Sequence, residues 1–585
     1  MRLAFRLVVA GVLTLLLIPG TATAGHPPDQ SNRMSEEFRS PNQATNADLA
    51  FWGNHAFSGY YTGDAASRGG VRIFDIRNPS APVLLRDFPC DGPQNDPILW
   101  DRNGNGVADL MLLAVDRTME TTACNSPRSA DHGDPDGWEG VRVFTMSDNP
   151  AAPFTDIRQV KSVYTDCGAH TITLWPGFAD AKRNPRLLVY VSSYPLRPGP
   201  TCGDTEHQNR ANPYDEDPGS PNNPLHGVIQ VVEVPLNNPA ASHELKQQPR
   251  ISYPGDPDRQ NDWCERQVTG LNAAGEPNPC PGVLERAAVA CHDIVVNVEA
   301  RTAAGACAEQ GQVWKIRGNG IPNTRNPISI HDDEVSSGGS GQIPGAVDFF
   351  HSAMFDNEVE VVNWVDESFG TGCPPKTVWQ PRPWQPGGPH QTGYMYFSDV
   401  EEGNYLSRFH VGDVRPDPAP GEYCSAHMGM SVPGIGRDLL VNAWYTGGVD
   451  VIDYTRARRP SEIAYYDPWR NTGTWSAYPY IGPGFPTGPG IPVYASDGVT
   501  NNAAAQGLVV YRTLIDGLGE RGRLDHLNPQ TMDQDADRRG DRGRDRDDDD
   551  DDRGRGNRRG RAGTASVSRE SRSAEPWWAV NHLAP

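Results

Sequence analysis

Four histidines stand at equivalent places in short apolar segments of this chain, and clustered histidines can bind metal ions. His170 precedes Thr-Ile-Thr-Leu, His292 precedes Asp-Ile-Val-Val, and His351 and His427 precede Ser-Ala-Met-Phe and Met-Gly-Met. Neutral imidazole nitrogen is a common ligand for zinc, copper and iron. If these segments are equivalent strands of a repeating fold, the four rings converge on one axis and predict a transition-metal site (copper, zinc or iron). Asp96, at the same position of an earlier segment, is a candidate fifth ligand.

Asp293 directly follows His292 and could support such a site without binding the metal. A carboxylate in this position can accept the second ring N–H of a histidine and thereby select its tautomer. Two alternatives stay open. The histidines could line a metal-free polar channel or small-ligand pocket, or they could only bond the backbone and fill the channel wall. No catalytic residue can be identified from the sequence.

A second candidate site is a loop rich in oxygen donors. The oxygen donors stand at alternate positions and are followed by a glycine and a last acid, as in calcium-binding loops: Asp101, Asn103, Asn105, Gly106 and Asp109. An EF-hand requires a glutamate at the twelfth position, which is Leu112 here, so that form is excluded. The sequence predicts a calcium loop between two strands, with an ordinary Asn-Gly hairpin as the alternative.

The segments that must position these residues belong to a repeat. Each unit has a glycine and a strand of alternating apolar residues, and every unit but the last, at Gly507, continues into a turn with proline, which is Asn-Pro in the first four. The intervals between units run from 45 residues (Gly403 to Gly448) to 92 residues (Gly311 to Gly403). The units begin at Gly70, Gly140, Gly227, Gly311, Gly403, Gly448 and Gly507.

This repeat predicts an all-β fold, a single β-propeller of seven blades. The shortest interval is near the roughly 40–50 residues of a four-stranded blade, so the longer intervals contain insertions. One such sheet cannot bury both of its faces, and radial stacking of several sheets solves this. A two-sheet sandwich is the rival architecture, but seven similar units are too many for it. In a propeller, equivalent residues of successive innermost strands meet at one mouth of the central channel.

The units resemble LVIVD repeats, a pattern of successive propeller blades. Residues 70–82 match closely, and residues 140–153 and 448–460 match less completely. The resemblance extends over residues 46–515 and implies the propeller fold, but it implies no particular reaction. Selenium-binding proteins with methanethiol oxidase activity are also propellers with a histidine-lined metal site, although no motif matches them residue for residue.

The two ends of the chain differ in composition from the repeats. Residues 1–24 contain arginines, an apolar run and Ala-Thr-Ala, which predict a cleaved signal peptide and a secreted protein, with an uncleaved anchor as the alternative. Residues 25–45 are predicted to form a polar N-terminal arm and residues 46–518 the propeller. Residues 519–585 are rich in Arg, Asp and Gly, and we expect them to be disordered.

Ten cysteines in an exported chain indicate disulfides. Sequence-local pairs, Cys264 with Cys280 and Cys291 with Cys307, are the simplest expectation. No later stretch is long and apolar enough for a membrane span.

Charge and motifs narrow the function. The net charge of −22 argues against nucleic acid as a partner. The chain lacks the Gly-x-Ser-x-Gly elbow of many hydrolases and the phosphate-binding Gly-x-x-x-x-Gly-Lys loop. We therefore expect a secreted scaffold that binds a protein or small-molecule ligand, with a channel able to hold a metal. A metal-dependent oxidoreductase centred on the four histidines is the alternative.

Overall fold

The computed structural model describes most of the predicted propeller and part of the segment that follows it. The described residues are 29–41, 45–61, 69–92, 94–129, 137–193, 227–251, 291–307, 310–332, 350–367, 393–415, 424–434, 436–468, 473–485, 490–498, 507–515 and 523–533.

These residues form seven sheets of four or five strands, antiparallel except for one short terminal strand. Blade 1 contains β3 (Thr45–Trp52), β4 (His55–Tyr61), β5 (Gly70–Asp75) and β6 (Val83–Pro89), and blade 2 contains β7 (Gln94–Trp100), β8 (Leu110–Met119), β9 (Trp138–Thr145) and β10 (Arg158–Tyr164). Blade 3 contains β11 (Thr171–Phe178), β12 (Arg186–Ser192), β13 (Gln230–Pro235) and β14 (His243–Glu244). Blade 4 contains β15 (Asp293–Asn297), β16 (Thr302–Cys307), β17 (Gln310–Lys315) and β18 (Ser329–Asp332).

Blade 5 contains β19 (Phe350–Phe355), β20 (Val361–Asp366), β21 (Met395–Asp399) and β22 (Tyr405–Phe409). Blade 6 contains β23 (Gly429–Ser431), β24 (Leu439–Ala443), β25 (Val449–Asp453) and β26 (Ser461–Asp467). Blade 7 contains β27 (Thr474–Pro479), β28 (Pro492–Asp497), β29 (Leu508–Thr513) and β2 (Met34–Arg39). The remaining described elements are β1 (Asp29–Gln30), β30 (His526–Leu527), β31 (Thr531–Met532), a 3-10 turn (Pro239–Ala241) and a one-turn helix (Val411–Val414). No helix of the described residues has the length and apolarity needed to cross a membrane.

The seven sheets close into a ring, which confirms the predicted propeller. The first strand of each blade lies against the first strand of the next, and β27 of blade 7 lies against β3 of blade 1. These innermost strands surround a central channel. Apolar side chains fill the space between blades, as Phe57, Leu112 and Val189 do in one fully buried cluster across blades 1 to 3. Burial of each such side chain stabilises the fold by about 1.5–3 kcal/mol.

A glycine at the start of a repeat unit is required by the close approach of the neighbouring strand. Gly448 has a φ of +75°, and a Cβ atom there would collide with the carbonyl oxygen of Tyr466 on β26. Gly311 has no such φ, but its Cβ would lie 2.6 Å from the ring of Trp364 in the next blade. Only glycine allows both contacts.

The ring is closed by the N-terminal part of the chain. Strand β2 pairs antiparallel with β29 and forms the outer edge of blade 7. Arg39 reinforces this closure, with its guanidinium 2.8 Å from a carboxylate oxygen of Asp497. The interval 25–45, predicted to be a lead-in arm, therefore contributes a blade strand. Its apolar pattern is weak because an outermost strand is only partly covered.

The chain after blade 7 returns to the channel. Residues 523–533, which we call the plug segment, pair with β3 of blade 1 through β30 and with β15 of blade 4 through β31. The prediction that the disordered tail begins at residue 519 is therefore wrong for the plug segment. Residues 534–585 and the predicted signal peptide lie outside the described residues.

Disulfides are present, as predicted. Cys291 is bonded to Cys307, which joins the start of β15 to the end of β16 and confirms that pairing. Cys90 is bonded to Cys124, and Cys167 and Cys424 are also disulfide-bonded. The predicted pair Cys264 and Cys280 lies outside the described residues.

Candidate metal centre in the central channel

The four predicted histidines lie side by side at the channel ends of consecutive innermost strands. Two of them directly precede their strands, His170 before β11 and His292 before β15. His427 lies two residues before β23, and His351 is the second residue of β19. Neighbouring ring centroids are 4.2 Å apart for His170 and His292, 3.9 Å for His292 and His351, and 4.3 Å for His351 and His427. The repeat thus places equivalent residues together, as the sequence reasoning expected for a propeller.

β-Bulges at the start of several innermost strands help to aim side chains at the axis. The pairing register shifts at Asp48 in β3, at Asp96 in β7, at His351 in β19 and at Trp475 in β27. A bulge inserts one unpaired residue and re-aims its neighbours. The same local device therefore recurs in blades 1, 2, 5 and 7, at the level of the histidines.

Two buried carboxylates lie between the histidine rings. His351 Nδ1 is 3.7 Å from Asp293 Oδ2, and His351 Nε2 is 3.2 Å from Glu367 Oε2. His292 Nδ1 is 3.5 Å from Asp293 Oδ1, and His427 Nε2 is 3.7 Å from Glu367 Oε1. The result is two overlapping triads, His292–Asp293–His351 and His351–Glu367–His427, in each of which three ligand atoms lie within 4.8 Å of one another. We call the four histidines with these two acids the channel cluster.

Glu367 is the member of the channel cluster that the sequence analysis missed. It lies immediately after β20, the second strand of blade 5, so it is not at the repeat position shared by the histidines. The signal available was an acidic pair, Asp366-Glu367, at the end of an otherwise largely apolar strand.

Hydrogen bonds to the backbone and to Tyr445 orient this end of the channel cluster. His427 Nδ1 lies 2.5 Å from the carbonyl oxygen of Trp475, and because a carbonyl only accepts, Nδ1 carries the proton. The Nε2 lone pair of His427 is then directed toward Glu367. The Tyr445 hydroxyl donates to Glu367 Oε1, and Tyr445 itself has a φ of +47°, which is unusual for a tyrosine.

His170 and Asp96 lie near the two triads but are not members of either. His170 Nδ1 is 2.8 Å from Asp116 Oδ2, so this ring is held by a carboxylate of blade 2. Asp96 Oδ1 accepts a hydrogen bond of 3.0 Å from the backbone N–H of Asp48 in blade 1. Among the described residues of the channel, the groups of three ligand residues therefore belong to blades 4 to 6, and the metal role of His170 and Asp96 stays a prediction.

Burial dominates the protonation behaviour of the cluster. It raises the pKa of Asp293 to about 6, although a hydrogen bond from Thr171 and the charges of His170 and His427 oppose this. Burial also raises the pKa of Glu367 well above its usual range. The pKa of His427 is lowered to about 3, again chiefly by burial. Without a cation, burial therefore favours a protonated Glu367 and a neutral His427, whereas Asp293 is mostly ionised at pH 7.

A second acidic pair lies beside the cluster. Burial raises the pKa of Asp48 to about 7 and, together with the charge of Asp48, raises that of Asp96 well above its usual range. Asp48 was not singled out by the sequence analysis.

The predicted calcium loop is a tight turn whose acids are occupied by hydrogen bonds from the protein. Asp101 accepts from the backbone N–H groups of Gly104 at 2.8 Å and Gly106 at 2.6 Å, while Asp109 accepts from the Arg102 backbone at 2.9 Å. Asn103 and Asn105 both donate to Asp148. These bonds account for the turn as a hairpin, and calcium binding stays a prediction.

The plug segment crosses the channel against the same innermost strands. The Thr173 hydroxyl donates to Gln530 Oε1 at 2.9 Å, and Thr531 Oγ1 bonds both the N–H and the carbonyl of Leu174, each at 3.2 Å. Gln530 and Met532 also line a small cavity with Ser352, next to His351. The plug segment therefore borders the region of the channel cluster.

Comparisons with known proteins leave the function open. No family model and no curated protein match the chain. Among solved structures, the chain is similar to Saccharomyces cerevisiae Sqt1 at 9% identity, covering 83% of this chain and 100% of that one with a TM-score of 0.40. It is also similar to the Dos1 propeller at 11% identity, covering 83% of this chain and 84% of that one with a TM-score of 0.36. The resemblance to LVIVD repeats stays a prediction.

Proposed function

We propose that this protein is a secreted propeller scaffold whose channel cluster binds a transition-metal ion. The observation that carries the proposal is the placement of Asp293 and Glu367. Both side chains are 1% exposed and both lie within 3.7 Å of imidazole nitrogens.

The electrostatics of the cluster favour a cation. The groups that act most strongly on Asp293 and Glu367 are histidines, hydroxyl or amide donors and other carboxylates, with no lysine or arginine among them. Removing an ion from water costs several kcal/mol unless it is paired. A divalent ion would neutralise the acids, and the mixed imidazole and carboxylate donors suit zinc, copper or iron.

Bound metal would connect blades of the scaffold. Its ligands come from the innermost strands of blades 4 and 5, from the residue after β20, and from the start of blade 6. A metal there would link blades 4, 5 and 6 at the channel. The loops between strands would then present a surface to a protein or small-molecule ligand. The oxidoreductase alternative stays a prediction, because no observation on the described residues identifies a substrate-binding group beside the cluster.

Metal analysis and thermal unfolding of the full chain test the proposal. The protein is stripped with a chelator, dialysed, and titrated with Zn²⁺, Cu²⁺ or Fe²⁺. At a free ion concentration 100 times the Kd, binding stabilises the fold by about 2.7 kcal/mol, which for a propeller of this length corresponds to a Tm increase of about 3 °C. His351→Ala should abolish this increase.

His331→Ala is the matched control. His331 is also buried, at 6% exposure, but it lies on the outer strand β18, where its Nε2 is 3.0 Å from the Ser329 hydroxyl. Its substitution should lower the Tm of the stripped protein yet preserve the increase with metal. A wild-type protein that retains no metal after gel filtration, and whose Tm none of the three ions changes, would overturn the proposal.

A further inference from the structure

We infer that the channel cluster is built for two metal ions, bridged by the imidazole of His351. This inference rests on the proposed function, since it assumes that the cluster binds metal. It concerns the number of ions and the role of one residue in joining them.

The two ring nitrogens of His351 face different acids. Nδ1 lies 3.7 Å from Asp293 Oδ2, whereas Nε2 lies 3.2 Å from Glu367 Oε2. The lone pairs of the two nitrogens diverge in the plane of the ring, so one imidazole cannot direct both at the same ion. Two triads that share this ring through opposite nitrogens therefore define two separate positions.

Each position has its own protein ligands. The first has His292, Asp293 and His351 Nδ1, and the second has His351 Nε2, Glu367 and His427. His427 is prepared for this role, because its proton lies on Nδ1 against the Trp475 carbonyl and its Nε2 is directed to Glu367. Three protein ligands with one open position are the usual set for a reactive zinc-type site.

The charges of the neighbourhood suit two divalent ions. Asp293, Glu367 and the bridging imidazolate supply three negative charges against four positive ones. Asp48 and Asp96, both buried, lie close enough to act electrostatically on the cluster. Occupation of both positions would displace the ring proton of His351, because both of its nitrogens would bind metal, so loading should release protons and weaken as the pH falls.

Copper loading of the stripped full chain tests the bridge. We expect two equivalents of Cu²⁺ by elemental analysis. Because the shared imidazolate couples the two spins, the low-temperature EPR signal of the fully loaded protein should fall far below that of two isolated Cu²⁺ ions. Bonds of about 2 Å at each nitrogen place the ions roughly 6 Å apart.

Two nearly isosteric variants separate the positions. Glu367→Gln and Asp293→Asn should each leave one equivalent of copper, and each should restore the EPR signal of a single isolated ion. His331→Gln, outside the channel, should keep two coupled equivalents. Circular dichroism of each variant establishes that it is folded.

The possible results distinguish this inference from the proposed function. One equivalent in the wild type would overturn the paired site while leaving metal binding intact. Two equivalents with the full EPR intensity of uncoupled ions would overturn the bridge. Failure to bind any copper, zinc or iron would overturn the proposed function and this inference together.

Discussion

Replacement of Asn528 by alanine tests whether the plug segment holds the innermost strands. Asn528 is 1% exposed and bonds both backbone groups of Leu99 on β7. Its Oδ1 accepts from the Leu99 N–H at 2.7 Å, and its Nδ2 donates to the Leu99 carbonyl at 3.0 Å. One side chain thus takes the place of a neighbouring strand at the channel edge of blade 2.

The magnitude follows from the groups left behind. Asn528→Ala removes both partners from the backbone of a fully buried residue, and each unsatisfied group costs about 1–3 kcal/mol. A water molecule in the vacated space can recover part of this. We therefore expect the free energy of unfolding to fall by about 2–4 kcal/mol.

Urea unfolding of the chelator-treated protein, followed by tryptophan fluorescence, measures this loss. Asn149→Ala is the control, because Asn149 is an exposed turn residue whose Oδ1 accepts only a local bond of 3.0 Å from the Ala151 N–H. Its cost should be within about 0.5 kcal/mol of zero. Equal costs for the two variants would refute the view that the plug segment is held to β7.

Two further predictions concern protons and calcium. The pKa of Asp48 is raised from 3.8 to about 7 by burial, so its favourable contribution is complete at low pH and is lost as the pH rises through 7. In urea unfolding with EDTA, wild type should lose about 1–3 kcal/mol relative to Asp48→Asn between pH 5 and pH 8, and a constant difference would contradict this. Calcium added to stripped protein should raise the Tm of wild type and not of Asp101→Ala, whereas no increase in wild type would leave the loop an ordinary hairpin.

Much of the architecture was readable from the sequence because it depends on local patterns. A glycine, an alternating strand and a proline turn recur in fixed order, and a sheet with two apolar faces must stack on others. Equivalent positions in a repeat occupy equivalent positions in the ring. For this reason four histidines that are far apart in the chain were predicted to be neighbours, namely His170, His292, His351 and His427.

Other features were decided only by the tertiary structure, since they depend on contacts that leave no periodic signal. Glu367 belongs to a second strand and reaches the cluster from outside the repeat register. Strand β2 looked like a polar arm because its partner β29 lies more than 460 residues away. The plug segment is held by polar side chains that bond the backbone groups of Leu99 and Leu174. Nearly every residue offers such backbone groups, so the sequence does not indicate which of them the plug segment contacts. The sequence by itself determined a seven-bladed ring with histidines at its axis, because both follow from a local repeat. The tertiary structure decided which acids stand between the histidines and which segment lies beside them, because those contacts join distant parts of the chain.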